Sequence, residues 1–170
     1  MIADTIYFYY FLIHIPITVF MDATFAIPYE WQLPIQRQLN AFHYHENKDF
    51  LAVNSPLWMR IFVVWELIFQ LPFFIYAVVD YLRNGRKGYS VRLWPMFFLY
   101  GFNAGFTTLV CLIYVYSESA IHGLNMTEMW NLVGLYTPTM VLPFYMMWDF
   151  GCRIVTRLTD FELETKEKIL

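Results

Sequence analysis

Glu66 is the residue whose chemistry most needs an explanation. It stands near the middle of an apolar run from about Leu57 to Leu82, long enough to cross a bilayer. An acid at the centre of a spanning helix costs about 2.5–3.5 kcal/mol on insertion scales, so it normally faces a cavity or a partner. Gln70 follows at i+4 and shares its face. Pro72 has no N–H for the carbonyl of Ile68 and crowds that carbonyl, which predicts a kink beside the polar face. With Phe62, Phe69 and Phe73 around it, the stretch reads as the wall of a pocket inside a membrane.

Other polar residues fall into register with it. His14, Thr18 and Asp22 stand at i, i+4 and i+8 on a first helix, with Pro16 inside the stripe. Asp22 lies toward the same end as Glu66, so the two carboxyls reach similar depth. Asn103 and Thr107 share a face of a third helix, with Thr108 adjacent, and a fourth carries Tyr136, Thr137, Pro138 and Pro143. Prolines in spanning helices open space between neighbours. Two close carboxyls in low dielectric do not both ionise, so Asp22 and Glu66 are expected to share one proton. One then donates a hydrogen bond, while the other accepts it and carries the charge. Such a carboxylate among aromatic rings suits a cationic amine, through an ion pair and cation–π contact. It suits the hydroxyl of a sterol equally well.

Blander readings stand beside these. Asp22 and Glu66 could form a structural acid pair, His14 a cross-helix bond, and Thr18, Thr107 and Thr108 simple packing. Gln70 could satisfy a carbonyl freed by a proline. Asp80 and Asp149, near helix ends beside Arg83 and Arg153, read as interfacial ion pairs. His43 and His45 lack a third ligand, so no metal is expected, nor any cofactor. There is no glycine-rich phosphate loop, no defensible Ser-His-Asp order, and no basic face for nucleic acid. No catalytic residue is assigned.

The elements that must position these groups are four apolar segments: Thr5–Ile27, Leu57–Leu82, Val91–Tyr116 and Met129–Val155. Of the 170 residues 59% are hydrophobic and 15% charged, against about 45–50% and 25% in soluble domains. The expectation is one all-α membrane domain, a four-helix bundle, with a tail at 156–170. The first segment reads as a retained helix rather than a signal peptide. Cys111 and Cys152 lie in apolar segments and read as core residues. Arg83-Asn84-Gly85-Arg86-Lys87-Gly88 is a basic turn, and Arg153, Arg157, Lys166 and Lys168 make the last stretch basic. The positive-inside rule places both in the cytosol, and four crossings then put the N-terminus there too.

The loop from Pro28 to Pro56 carries Trp31, Phe42, Tyr44 and Phe50, with Trp58 just beyond, and is expected to fold back as a luminal cap. Asn125-Met126-Thr127 is a glycosylation sequon on that side. Lys166 and Lys168 stand as in a dilysine retrieval signal of the endoplasmic reticulum.

Tyr10-Phe11-Leu12-Ile13-His14-Ile15-Pro16-Ile17-Thr18-Val19-Phe20-Met21-Asp22, together with Glu66-Leu67-Ile68-Phe69-Gln70-Leu71-Pro72-Phe73-Phe74, resembles the sigma-2 receptor family. That family belongs to the EXPERA group, relatives of the emopamil-binding sterol isomerases. Lys48-Asp49, Pro56 with Trp58, Thr107-Thr108-Leu109 and Leu135-Tyr136-Thr137-Pro138 fit as well. The resemblance implies a four-helix, usually homodimeric protein of the endoplasmic reticulum membrane whose cavity binds cationic amphiphiles and sterols. It implies that Asp22 pairs with a ligand amine and that Glu66 is a protonated acid bonded to Asp22. Gln70, Thr107, Tyr136 and Met21 would line the pocket, and Asp49 would hold the loop. The expected function is therefore a receptor-like sterol, lipid or amphiphile binder linked to sterol handling or trafficking. Two alternatives remain: a sterol double-bond isomerase using the acid pair, and an adaptor for trafficking or mitochondrial precursors with an incidental cavity. A pocket that binds an ammonium resembles one that stabilises a carbocation, so residue types alone do not separate binder from isomerase.

Overall fold

The computed structural model describes residues 2–169, and among these there is no β-strand. Seven α-helices follow one another: α1 (Ile2–Phe20), α2 (Pro34–Asn47), α3 (Phe50–Asn54), α4 (Leu57–Trp65), α5 (Leu71–Arg83), α6 (Trp94–Glu118) and α7 (Met126–Ile169). Three stretches are long and apolar enough to cross a membrane: Ile2–Phe25, Leu57–Arg83 and Val91–Glu118. The fourth expected segment lies inside α7. Its prolines, threonines and tyrosines dilute its apolarity, and it does not match the other three. α7 is one helix of 44 residues. At about 1.5 Å per residue it reaches well past a bilayer, and residues 156–166 are exposed.

Two helices differ from their sequence patterns in ways that matter for the site. α1 was expected to continue to Ile27, yet it stops at Phe20, and Asp22–Phe25 forms a 3₁₀ turn. Carbonyls at a helix end need partners, and here side chains supply them. Gln36 of α2 donates to the Val19 carbonyl at 2.9 Å, and the Thr24 hydroxyl to the Met21 carbonyl at 2.5 Å. The second difference lies between α4 and α5, where Glu66–Gln70 makes a π-helical turn. The Leu71 N–H bonds the Glu66 carbonyl, five residues back. The turn ends two residues before Pro72, which cannot donate to Ile68. The helix widens locally to absorb that lost bond instead of simply kinking.

Packing sets the helix spacing. α1 lies along α5, and α6 pairs extensively with α7. At Gly101 the α7 backbone comes so close that a Cβ would stand 2.4 Å from the Pro143 carbonyl oxygen and 2.6 Å from the Met147 nitrogen. A Cβ at Gly105 would likewise stand 2.8 Å from the Phe144 ring. One core is aromatic: Tyr7, Phe11, Phe74, Phe97 and Phe150 are fully buried, and Phe97 stacks on Phe150 at 4.1 Å. A second core gathers Phe50, Leu51, Met59, Val63 and Val115 beneath the cap.

Polar ties close both ends. Arg153 joins Asp149 and Asp4, each at 2.7 Å, and the Tyr7 hydroxyl donates to Asp149 at 2.8 Å. Asp80 departs from the ion pair expected with Arg83. It accepts from the Ser90 backbone N–H and hydroxyl, both at 2.8 Å, and so tethers the turn that leads into α6. At the other end the Pro28–Pro56 loop folds into α2 and α3, with Trp31 and Phe42 exposed on its outer surface.

Gly101→Ala should lower stability by about 1–3 kcal/mol, the usual cost of overpacking a contact that cannot yield. Gly134→Ala, where nothing lies within 4 Å, should instead gain about 0.5–1 kcal/mol of helix propensity. Thermal unfolding of the purified variants in detergent checks both signs.

Candidate functional site: an acid-lined chamber between the helices

Between the two cores lies a cavity of ≈ 400 Å³, within the usual range for small-molecule sites. Helix spacing and the two irregular turns place its polar groups. Ending α1 early sets Asp22 on the 3₁₀ turn, at the chamber wall, and the π-turn presents Glu66 and Gln70 from the second span. Met21, His14, Thr107 and Tyr136 line the same space. Pro72 does not; it is the second residue of α5, on the exposed side. Of the rings expected around Glu66, Phe62 lines the cavity, Phe73 joins the aromatic core, and Phe69 is exposed.

Thr18 takes a larger part than packing. It is fully buried, its hydroxyl donates to Glu66 Oε1 at 2.6 Å, and Asp22 follows it at i+4. A hydroxyl has one hydrogen, so while it donates to Glu66 it can only accept from Asp22. Across the chamber the Gln70 amide donates to Asn103 Oδ1 at 2.8 Å, not to a carbonyl freed by proline. Thr107 bonds back to the Asn103 and Ala104 carbonyls at 3.0 and 3.2 Å, which leaves its methyl group for packing.

Asp49 closes the cap side. It is 1% exposed and caps α3 by accepting the Ala52 N–H at 3.1 Å. Its other oxygen accepts the Tyr136 hydroxyl at 2.8 Å, joining the loop to α7. The His43 ring nitrogen Nε2 stands 3.0 Å from the same oxygen, while Nδ1 faces the Asn47 amide at 3.2 Å. An amide donating to Nδ1 leaves the ring proton on Nε2, so His43 donates to Asp49. His45 turns away to Glu46 on the surface.

Several cavity residues escaped the sequence reading. Tyr10 and Tyr100 share a hydroxyl–hydroxyl bond of 2.9 Å, and Tyr10 stacks on His14 at 4.7 Å. Their signal was available: Tyr10 stands four before His14, and Tyr100 three before Asn103. His43 had none, because it reaches the chamber from the cap, where no helical stripe connects it to the spans.

These features define a helical membrane protein that encloses an acid-lined, partly aromatic chamber between its spans. The chain belongs to the EXPERA family (the expanded EBP superfamily), whose pattern matches residues 35–150. It is 36% identical to efficient mitochondria targeting-associated protein 19 of Saccharomyces cerevisiae, over 81% of this chain and 90% of that one. It is 31% identical to human sigma intracellular receptor 2, over 81% of each chain. The resemblance carried by the first two helices is therefore one of common family.

The cap is also tied from outside. Lys48 pairs with Glu128, which accepts the Asn125 N–H at 2.9 Å while Asn125 Oδ1 caps the start of α7. Lys48, and after it that N–H, hold the Glu128 carboxyl below its usual range. A depressed carboxyl stabilises the fold above its unfolded pKa, and the effect is lost as pH falls through the folded value. Acidification below about pH 4 should therefore speed hydrogen exchange in α2 and α3, and Glu128→Gln should remove that increment. Asp49→Ala should cost about 2–4 kcal/mol in thermal unfolding, from a lost cap and two buried donors left unpaired. Tyr136→Phe, which removes one bond, should cost about 1 kcal/mol.

Proposed function

We propose that the chain is a receptor-like protein that binds a sterol, lipid or cationic amphiphile inside the membrane. The observation that carries this reading is the Asp22–Thr18–Glu66 group at the wall of a chamber large enough for such a molecule. The pair holds one proton, and Thr18 lets either carboxyl keep it. When an ammonium arrives, Asp22 gives its proton to the Thr18 oxygen while Thr18 passes its own to Glu66, so that Asp22 carries the negative charge, Glu66 holds the proton and donates to Thr18, and the Thr18 hydroxyl donates to Asp22. No proton leaves the site. Aromatic walls, Phe25, Phe62 and Tyr100 among them, then favour the cation over its hydrated state. A neutral sterol hydroxyl can donate to the same carboxylate.

The rest of the reading follows from charge and family. Four crossings with cytosolic termini agree with the basic turn at 83–88 and the basic residues after Asp149. Residence in the endoplasmic reticulum agrees with the human relative's name as an intracellular receptor. A homodimer is the family's usual assembly. Binding rather than sterol isomerisation is favoured because α7 brings no acid into the chamber; the acids that line it are Asp22, Asp49 and Glu66, and Asp49 is occupied by the cap.

Radioligand binding of a cationic amphiphile to purified protein tests this. Asp22→Asn should weaken binding at least about tenfold, since a desolvated charge pair is worth about 2–5 kcal/mol. Thr18→Val should weaken it less, and Glu66→Gln, which keeps a donor beside Thr18, least of all. Equal affinity in wild type and Asp22→Asn, with both folded, would leave the acids as structural glue only.

A further inference from the structure

A second cavity, of ≈ 670 Å³, opens under the cap on the far side of Phe25, which borders both chambers. Its charge is opposite. Arg37 of α2 and Arg60 of α4 line it, and no acidic side chain does. Among the described residues neither arginine has a carboxylate within ion-pair distance.

Both guanidinium groups are held in place yet under-used. Arg37 donates to the Glu30 carbonyl at 3.1 Å and lies over the Tyr29 ring at 4.4 Å, while its buried Nε–H has no partner. Arg60 donates through Nε to the Ser55 carbonyl at 2.9 Å, which leaves its two terminal nitrogens for another acceptor. A buried donor without a partner is costly, and fixed guanidinium forks match the oxygens of a phosphate. Depth identifies the bearer of that phosphate. Arg60 is the fourth residue of a membrane span that begins at Leu57, and Val53 and Tyr44 supply apolar wall beside it. The cavity therefore sits where lipid headgroups meet the hydrocarbon.

We propose that this cavity binds the phosphate of an anionic phospholipid headgroup through Arg37 and Arg60. The site is distinct from the acid chamber, and does not depend on what that chamber holds. An anion here is separated from Asp22 mainly by Phe25 and the 3₁₀ turn.

The test reconstitutes the full chain in nanodiscs of phosphatidylcholine with a minor share of phosphatidylinositol, and measures the lipids retained by native mass spectrometry. Wild type should retain phosphatidylinositol over phosphatidylcholine. Arg37→Gln with Arg60→Gln should reduce that preference at least about tenfold, while Arg37→Lys with Arg60→Lys should keep part of it. Circular dichroism melts of each variant establish that the helices remain folded; should the double glutamine variant fail to fold, the single variants are read in the same way. An unchanged preference in folded glutamine variants would overturn the proposal. So would release of the lipid by millimolar inorganic phosphate, which would make the cavity a site for a free anion.

Discussion

A carboxyl group inside a bilayer must find a partner, and much of this structure follows from meeting that requirement. Glu66 stands in the second span where water is scarce, and Thr18 of the first span answers it at 2.6 Å. Asp22 enters the chamber wall from the turn that follows the end of α1 at Phe20. That ending needs donors for its last carbonyls, and Gln36 and Thr24 provide them. The cap is thus part of the arrangement that holds two acids together. A spanning polar group with a satisfied network costs little; the same group alone costs several kcal/mol.

The chamber exists because packing is uneven along the bundle. At one end large rings fill the space between helices, with Tyr7, Phe11, Phe97 and Phe150 fully buried. Close approach of α6 to α7 is set by Gly101, which meets the α7 backbone, and by Gly105, which leaves room for the Phe144 ring. Toward the cap Met59, Ala104, Thr107, Thr108 and Cys111 face the gap between rings that stay at its wall, and the π-turn widens the second span. The cap then closes the opening with Asp49, whose three partners come from α3, α7 and α2.

Charge is partitioned along the same axis. Acids line the chamber, arginines line the cavity on the other side of Phe25, and the opposite end of the bundle holds Arg153 between Asp4 and Asp149.

The sequence alone determined what composition and periodicity can carry. Long apolar stretches with few charges specify spanning helices, and three of the four expected ones reach that apolarity. His14 of the first stripe and the i, i+4 pair Glu66 and Gln70 line one space, and Thr18 of that stripe bonds Glu66, because helical geometry fixes which residues share a face. What only the tertiary structure decided lies where that geometry breaks. The early end of α1, the π-turn before Pro72 and Asp80's choice of Ser90 over Arg83 depend on partners distant in the chain. Thr18's bridging and the His43–Asp49–Tyr136 cluster are likewise contacts across elements. A hydrogen bond between residues 87 positions apart leaves no local signature, because its energy depends on where the fold brings the two ends.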